Sequence, residues 1–168
     1  SSGGVAIGEG AISQGGGLAL GSKAGYYDDY IDPNDPTANV TYVNQNQIAI
    51  GGAAGMYQNG TDNVSIGTGS GFGATGENNF AAGSDAGSNV MGDSNLSVGS
   101  SSGRNILGSN NAAFGDGAGS HLDSSYQNLA LGENAGSHLS ASTGNIAIGI
   151  DSGSFSYLDA DPNSGAVN

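Results

Sequence analysis

The chain has 168 residues, 33 of them glycine, and a formal net charge of −13. It lacks cysteine, which excludes a disulfide framework and a thiolate metal site. Lys23 and Arg104 are the only cationic side chains, too few to neutralise a run of phosphates, so nucleic acid is not an expected partner. Glycine, proline and serine together exceed a third of the chain, a composition that by itself reads as disordered or low-complexity. That rule applies to chains without a period. This chain has one.

The first elements are Val5-Ala6-Ile7-Gly8 and Leu18-Ala19-Leu20-Gly21. Gly15-Gly16-Gly17 between them is predicted to form a tight turn. The rhythm then breaks over residues 26–46, where Tyr26, Tyr27, Asp28, Asp29, Tyr30, Asp32, Pro33, Asp35 and Pro36 make an acidic, aromatic insertion. The prolines bar it from a central strand, and it reads as a loop protruding from the rest.

Residues 47–153 carry seven further copies of one pattern: an amide residue, an apolar residue, a small one, an apolar one and glycine. Asn95-Leu96-Ser97-Val98-Gly99, Asn128-Leu129-Ala130-Leu131-Gly132 and Asn145-Ile146-Ala147-Ile148-Gly149 are examples. Across all nine copies the first apolar positions are Val5, Leu18, Ile48, Val64, Phe80, Leu96, Ala112, Leu129 and Ile146, with steps of 13, 30, 16, 16, 16, 16, 17 and 17. A step this constant marks a stacked supersecondary unit. Weaker apolar segments, such as Asn89-Val90-Met91, Asn105-Ile106-Leu107 and His138-Leu139, read as a second strand per unit. Tyr157-Leu158-Asp159-Ala160-Asp161-Pro162-Asn163 echoes Tyr30-Ile31-Asp32-Pro33-Asn34, so a second insertion is expected over 157–168. Residues 1–168 thus form a single repeat domain. No stretch has helical spacing, and glycine every few residues would cost a helix about 1 kcal/mol each.

A unit of this length holds two strands of about five residues and two turns, and stacking sets like strands in parallel about 4.8 Å apart. The expected fold is all-β, a two-strand solenoid or roll of about nine coils and roughly 43 Å long. Strand side chains alternate faces, so Ile146 and Ile148 share one face and Ala147 takes the other. Neither face is polar, and a strand apolar on both faces is buried on both. The small middle residues suit a narrow interior. The larger ones then need a cover from outside: Val5, Ile7, Leu18, Leu20, Ile48, Ile50, Val64, Ile66, Phe80, Leu96, Val98, Phe114, Leu129, Leu131, Ile146 and Ile148. Another copy of the chain is the economical one. The amides Asn63, Asn79, Asn95, Asn111, Asn128 and Asn145 should align turn after turn as a ladder. Gly132 and Gly136 should supply positive φ at the corners.

These repeats resemble the head repeat of trimeric autotransporter adhesins, the YadA-like left-handed parallel β-roll, over about residues 3–155. The resemblance implies a homotrimer on a bacterial outer surface, carried on a stalk and a membrane anchor outside this chain. It also implies binding to host extracellular matrix, cell-surface receptors or other bacteria. The 26–46 insertion, the short first step, and Ala82 and Ala112 in place of bulky residues depart from the pattern.

Gly71, Gly73 and Gly76 fit dinucleotide-binding spacing, but no helix follows and they belong to the repeat. His121 and His138 should stack in adjacent turns, as surface turn residues first and as a metal or proton-sensing pair second. Tyr26, Tyr27, Asp28, Asp29, Tyr30, Asp32 and Asp35 are the candidate recognition loop, since tyrosines offer contact area beside charge; the four aspartates match no calcium-loop spacing. No catalytic set, metal site or cofactor is expected. Two other functions compete. A hexapeptide β-helix acyltransferase would echo Ile7-Gly8-Glu9-Gly10-Ala11, but with three hexapeptides per turn. An ice-binding solenoid would need outward rows of threonine.

Overall fold

A computed structural model describes residues 4–13, 16–26, 44–45, 47–139, 141 and 143–153. The 26–46 insertion beyond Tyr26, apart from residues 44–45, and the 157–168 segment lie outside the described residues. Those described form an all-β parallel solenoid with no helix among them.

One face is a nine-stranded parallel sheet of three-residue strands. They are β1 (Val5–Ile7), β2 (Leu18–Leu20), β4 (Ile48–Ile50), β6 (Val64–Ile66), β7 (Phe80–Ala82), β8 (Leu96–Val98), β9 (Ala112–Phe114), β10 (Leu129–Leu131) and β11 (Ile146–Ile148). They pair in chain order, so nine strands bound about eight turns. The register follows the repeat: Ser97 pairs with Ala81 and Ala113, and Ala130 with Ala147. β4 follows β2 directly in the sheet, and Asn44 and Gln45, at the end of the 26–46 insertion, pair within the stack with Gly60 and Thr61.

The expected second strand is reduced. Among the described residues only β3 (Asn44–Gln45) and β5 (Gly60–Thr61) pair there over two residues. Elsewhere that side is a row of single bridges: Asn59 to Thr75, Thr75 to Met91, Met91 to Leu107, and Tyr126 to Thr143. The strands are also shorter than the expected five residues, and the reason is backbone handedness. In the coil begun by Phe80, Gly83, Asp85, Gly87 and Asn89 all have positive φ (136°, 54°, 60° and 55°). Every second residue from the strand exit to the corner is therefore left-handed, and no extended run can form. Glycine fills only part of this demand. Lys23, Ala53, Tyr57 and Ser101 also sit in the left-handed region, where a side chain costs roughly 1–2 kcal/mol.

The interior is narrow and built from three columns. The strand centres supply Ala19, Ala49, Ser65, Ala81, Ser97, Ala113, Ala130 and Ala147, all buried. Facing them after the first turn are Ala24, Ala54, Ser70, Ala86, Ser102, Ala118 and Ala135, also buried. The third column runs Ala74, Val90, Ile106, Leu122 and Leu139 and forms one apolar cluster. The coils begun by Phe80, Leu96, Ala112 and Leu129 thus pair two small residues with one larger apolar one; in the two coils before them the third place is taken by Gln58 and Ala74. The apolar segments read as second strands are this core column. Two interior serines bond within the stack: the Ser70 hydroxyl donates to the Ala81 carbonyl and that of Ser102 to Ala113, each at 3.0 Å.

The amide ladder forms as the alignment predicts. Asn95 is 2% exposed. Its Nδ2 donates to the Gly108 carbonyl at 2.9 Å and to Asn79 Oδ1 at 3.2 Å. Its Oδ1 in turn accepts from the Asn111 backbone N–H and Nδ2, both at 3.1 Å. The left-handed residue is not the ladder amide but its predecessor: Asp62, Asn78, Ser94, Asn110 and Gln127 all have positive φ.

Candidate interaction surfaces

Two surfaces stand out from the repeat. The first is the outward face of the nine-stranded sheet. Alternation sends the small central residue in, so the two flanking residues point out. None of the sixteen side chains named above for an external cover is buried. Ile7 is 63% exposed, Ile148 55% and Ile146 44%. Leu18, Leu20, Ile50, Val64, Leu96, Val98, Phe114 and Leu129 are half-buried, mainly by their neighbours along the ladder. The result is a continuous apolar stripe, larger than the scattered apolar residues a solitary soluble domain normally shows.

The second surface is the corner strip, where the chain turns away from the sheet. Successive coils place Tyr26, Tyr57, Phe72, Asn89, Asn105, His121 and His138 along it. Backbone bonds set the rungs: Tyr57 N–H donates to Tyr26 O at 2.9 Å, Asn89 N–H to Phe72 O at 2.7 Å, and His121 N–H to Arg104 O at 2.7 Å. At the N-terminal end the rings of Tyr26 and Tyr57 meet edge to face at 6.3 Å, and those of Tyr57 and Phe72 at 5.5 Å. Amides follow. Asn89 Nδ2 donates to Asn105 Oδ1 at 3.2 Å, and Asn105 Nδ2 lies 3.2 Å from His121 Nε2. An amide nitrogen only donates, so His121 Nε2 is the accepting atom of this contact.

His121 and His138 stack as their spacing suggests, with centroids 4.8 Å apart and ring planes at 4°. Burial, the neighbouring His138 and the Arg104 charge, in that order, lower the His121 pKa below the usual histidine value. Parallel rings direct their lone pairs side by side rather than toward one point. No third histidine, cysteine or carboxylate completes a metal set among the described residues.

Of the candidate recognition loop, only Tyr26 falls within the described residues; Tyr27, Asp28, Asp29, Tyr30, Asp32 and Asp35 lie outside them. Tyr26 joins the corner strip through Tyr57. The sequence reading missed the strip's aromatic and amide part, because Phe72, Asn89 and Asn105 match no motif. Asn89 and Asn105 share a place in the repeat with His121 and His138, and that register was the available signal; Phe72 stands one residue before it, in the register of Ser88 and Arg104. Gly71, Gly73 and Gly76 have positive φ (63°, 63° and 134°) and lie in turns of the coil, with no helix for a pyrophosphate. No family model, curated protein or solved structure matches the chain.

Proposed function

We propose that this chain is the head of a trimeric bacterial surface adhesin, wound as a left-handed parallel β-roll. The observation that carries the reading is the apolar outer stripe. Alanine and serine fill the interior behind the strands and leave no place there for Ile7, Ile66, Phe80, Leu131 or Ile148, which stand in register on the outer face of the sheet. Each such side chain gains about 1.5–3 kcal/mol on burial. Covering the whole stripe therefore outweighs the cost of associating rigid copies, even at the upper estimate of roughly 15 kcal/mol. Three copies around one axis would cover all three stripes with closed symmetry. A membrane anchor outside this chain would hold the head on the outer surface, where it would contact host extracellular matrix, a cell-surface receptor or another bacterium. The acidic surface and the repeat framework favour a non-enzymatic binding role.

Native mass tests the reading. Light scattering on a sizing column should give about three chain masses. Substituting glutamate for both Ile66 and Leu96 should release folded monomers or abolish folding of the isolated chain.

A further inference from the structure

A groove of about 540 Å³ opens on the corner strip, lined chiefly by Phe72, Asp85, Ser88, Asn89, Arg104 and Asn105. That is within the range of small-ligand sites, roughly 300–1,000 Å³. None of its lining residues belongs to the outward stripe of the sheet.

Three observations bear on what it holds. First, the lining does not follow the repeat. In the register of Phe72 the stack carries Met56, Ser88, Arg104, Ser120 and Ser137, so the fold does not demand an aromatic ring and a guanidinium there. Second, the lining is held in advance. Tyr57 packs edge-on against Phe72 at 87°. Asn105 is fixed between Asn89 and His121 by the amide ladder, and the rungs are locked by Asn105 N–H donating to Ser88 O at 2.9 Å. The Phe72 ring and the two amides therefore have little side-chain freedom left to lose on binding. Third, Arg104 is one of two cations on a chain of net charge −13, and it makes no ion pair among the described residues.

We propose that this groove binds a carboxylated sugar, such as the acidic terminal residue of a glycan. The guanidinium offers a fork that matches one carboxylate. The amides of Asn89 and Asn105 and the exposed carboxylate of Asp85 supply donors and acceptors for ring hydroxyls. The half-exposed Phe72 ring gives an apolar platform for the C–H face of a pyranose. The surrounding charge narrows the class further. Exposed acids, including Glu77, Asp85 and Asp93, repel a long polyanion, whereas a single carboxylate needs only Arg104. The proposal deepens the adhesin reading by naming a ligand class for it.

The test is an NMR titration of the full chain with methyl glucuronide, the methyl glycoside of N-acetylneuraminic acid, and methyl glucoside. Methyl glucoside differs from methyl glucuronide only in carrying a neutral hydroxymethyl group in place of the carboxylate. At least one acid sugar should shift the side-chain amides of Asn89 and Asn105, and methyl glucoside should bind far more weakly. Arg104→Gln should weaken the acid sugar by roughly ten- to a hundredfold while the remaining spectrum stays folded, and Phe72→Ala should weaken both sugar types. Absence of shifts, equal binding of glucuronide and glucoside, or binding unchanged in Arg104→Gln would overturn the proposal. Native mass on the same samples separates the two readings. A trimer that ignores both acid sugars sinks the groove alone, and a monomer that binds one sinks the trimeric head alone.

Discussion

At the residue scale, the controlling quantity is backbone handedness. Gly83 has φ 136°, a region essentially closed to side chains, and a Cβ there would run into the Gly99 carbonyl of the next coil. Gly83→Ala should therefore cost about 3 kcal/mol or more, read as a loss in the denaturant midpoint. Ser101 has φ 53° and is half-buried, so Ser101→Gly should raise stability by up to about 1 kcal/mol. A fall in stability with Ser101→Gly would show that the hydroxyl outweighs the strain. The histidines make a separate prediction. Because the folded-state pKa of His121 is lowered, the unfolded chain binds more protons as pH falls. Its contribution is therefore fully present above about 6.5 and is lost as pH drops through the folded value. His121→Asn keeps a residue tolerant of positive φ and extends the amide ladder. Melting of the wild type should lose more between about pH 7.5 and about pH 5 than melting of this variant; equal losses would place the titration elsewhere.

At the element scale, the coil is stabilised by columns rather than by strands. Asn95→Ala removes two donated bonds and leaves the Asn111 backbone N–H without its acceptor, so it should cost about 2–4 kcal/mol. Denaturant unfolding checks this, and a cost below about 1 kcal/mol would mean that water replaces the ladder. The ladder was legible in the sequence, since the asparagines recur at the step of the repeat. So was the division of β8 into an inward Ser97 between an outward Leu96 and Val98. The short strands and the missing second strand were not legible. Hydrophobic alternation identifies Val90, Ile106 and Leu139 as apolar positions, but one inward residue between two left-handed turns looks the same in sequence as the centre of a strand. The left-handed positions are disguised as well, because Tyr57 and Lys23 occupy sites where glycine or asparagine would have announced the turn.

At the scale of the whole molecule, the stack solves its interior and leaves its exterior unfinished. Bonds between neighbouring coils satisfy the backbone, and thin columns of alanine, serine and one larger apolar residue fill the inside. The nine-stranded face still presents its largest side chains outward. The expectation that these would need a cover follows from the pattern alone, because a strand apolar on both faces has no solvent side. What covers them, and what the corner strip meets, depends on partners that the repeat does not encode.

The most direct measurement is the native mass of the chain by light scattering during gel filtration, across a concentration series and up to the melting temperature. The chain mass is 16.2 kDa. A species near three times that mass, about 49 kDa, that persists until the fold melts is the predicted result. A folded, soluble monomer at all concentrations would contradict the account, since the exposed stripe from Val5 to Ile148 would then be stable in water uncovered.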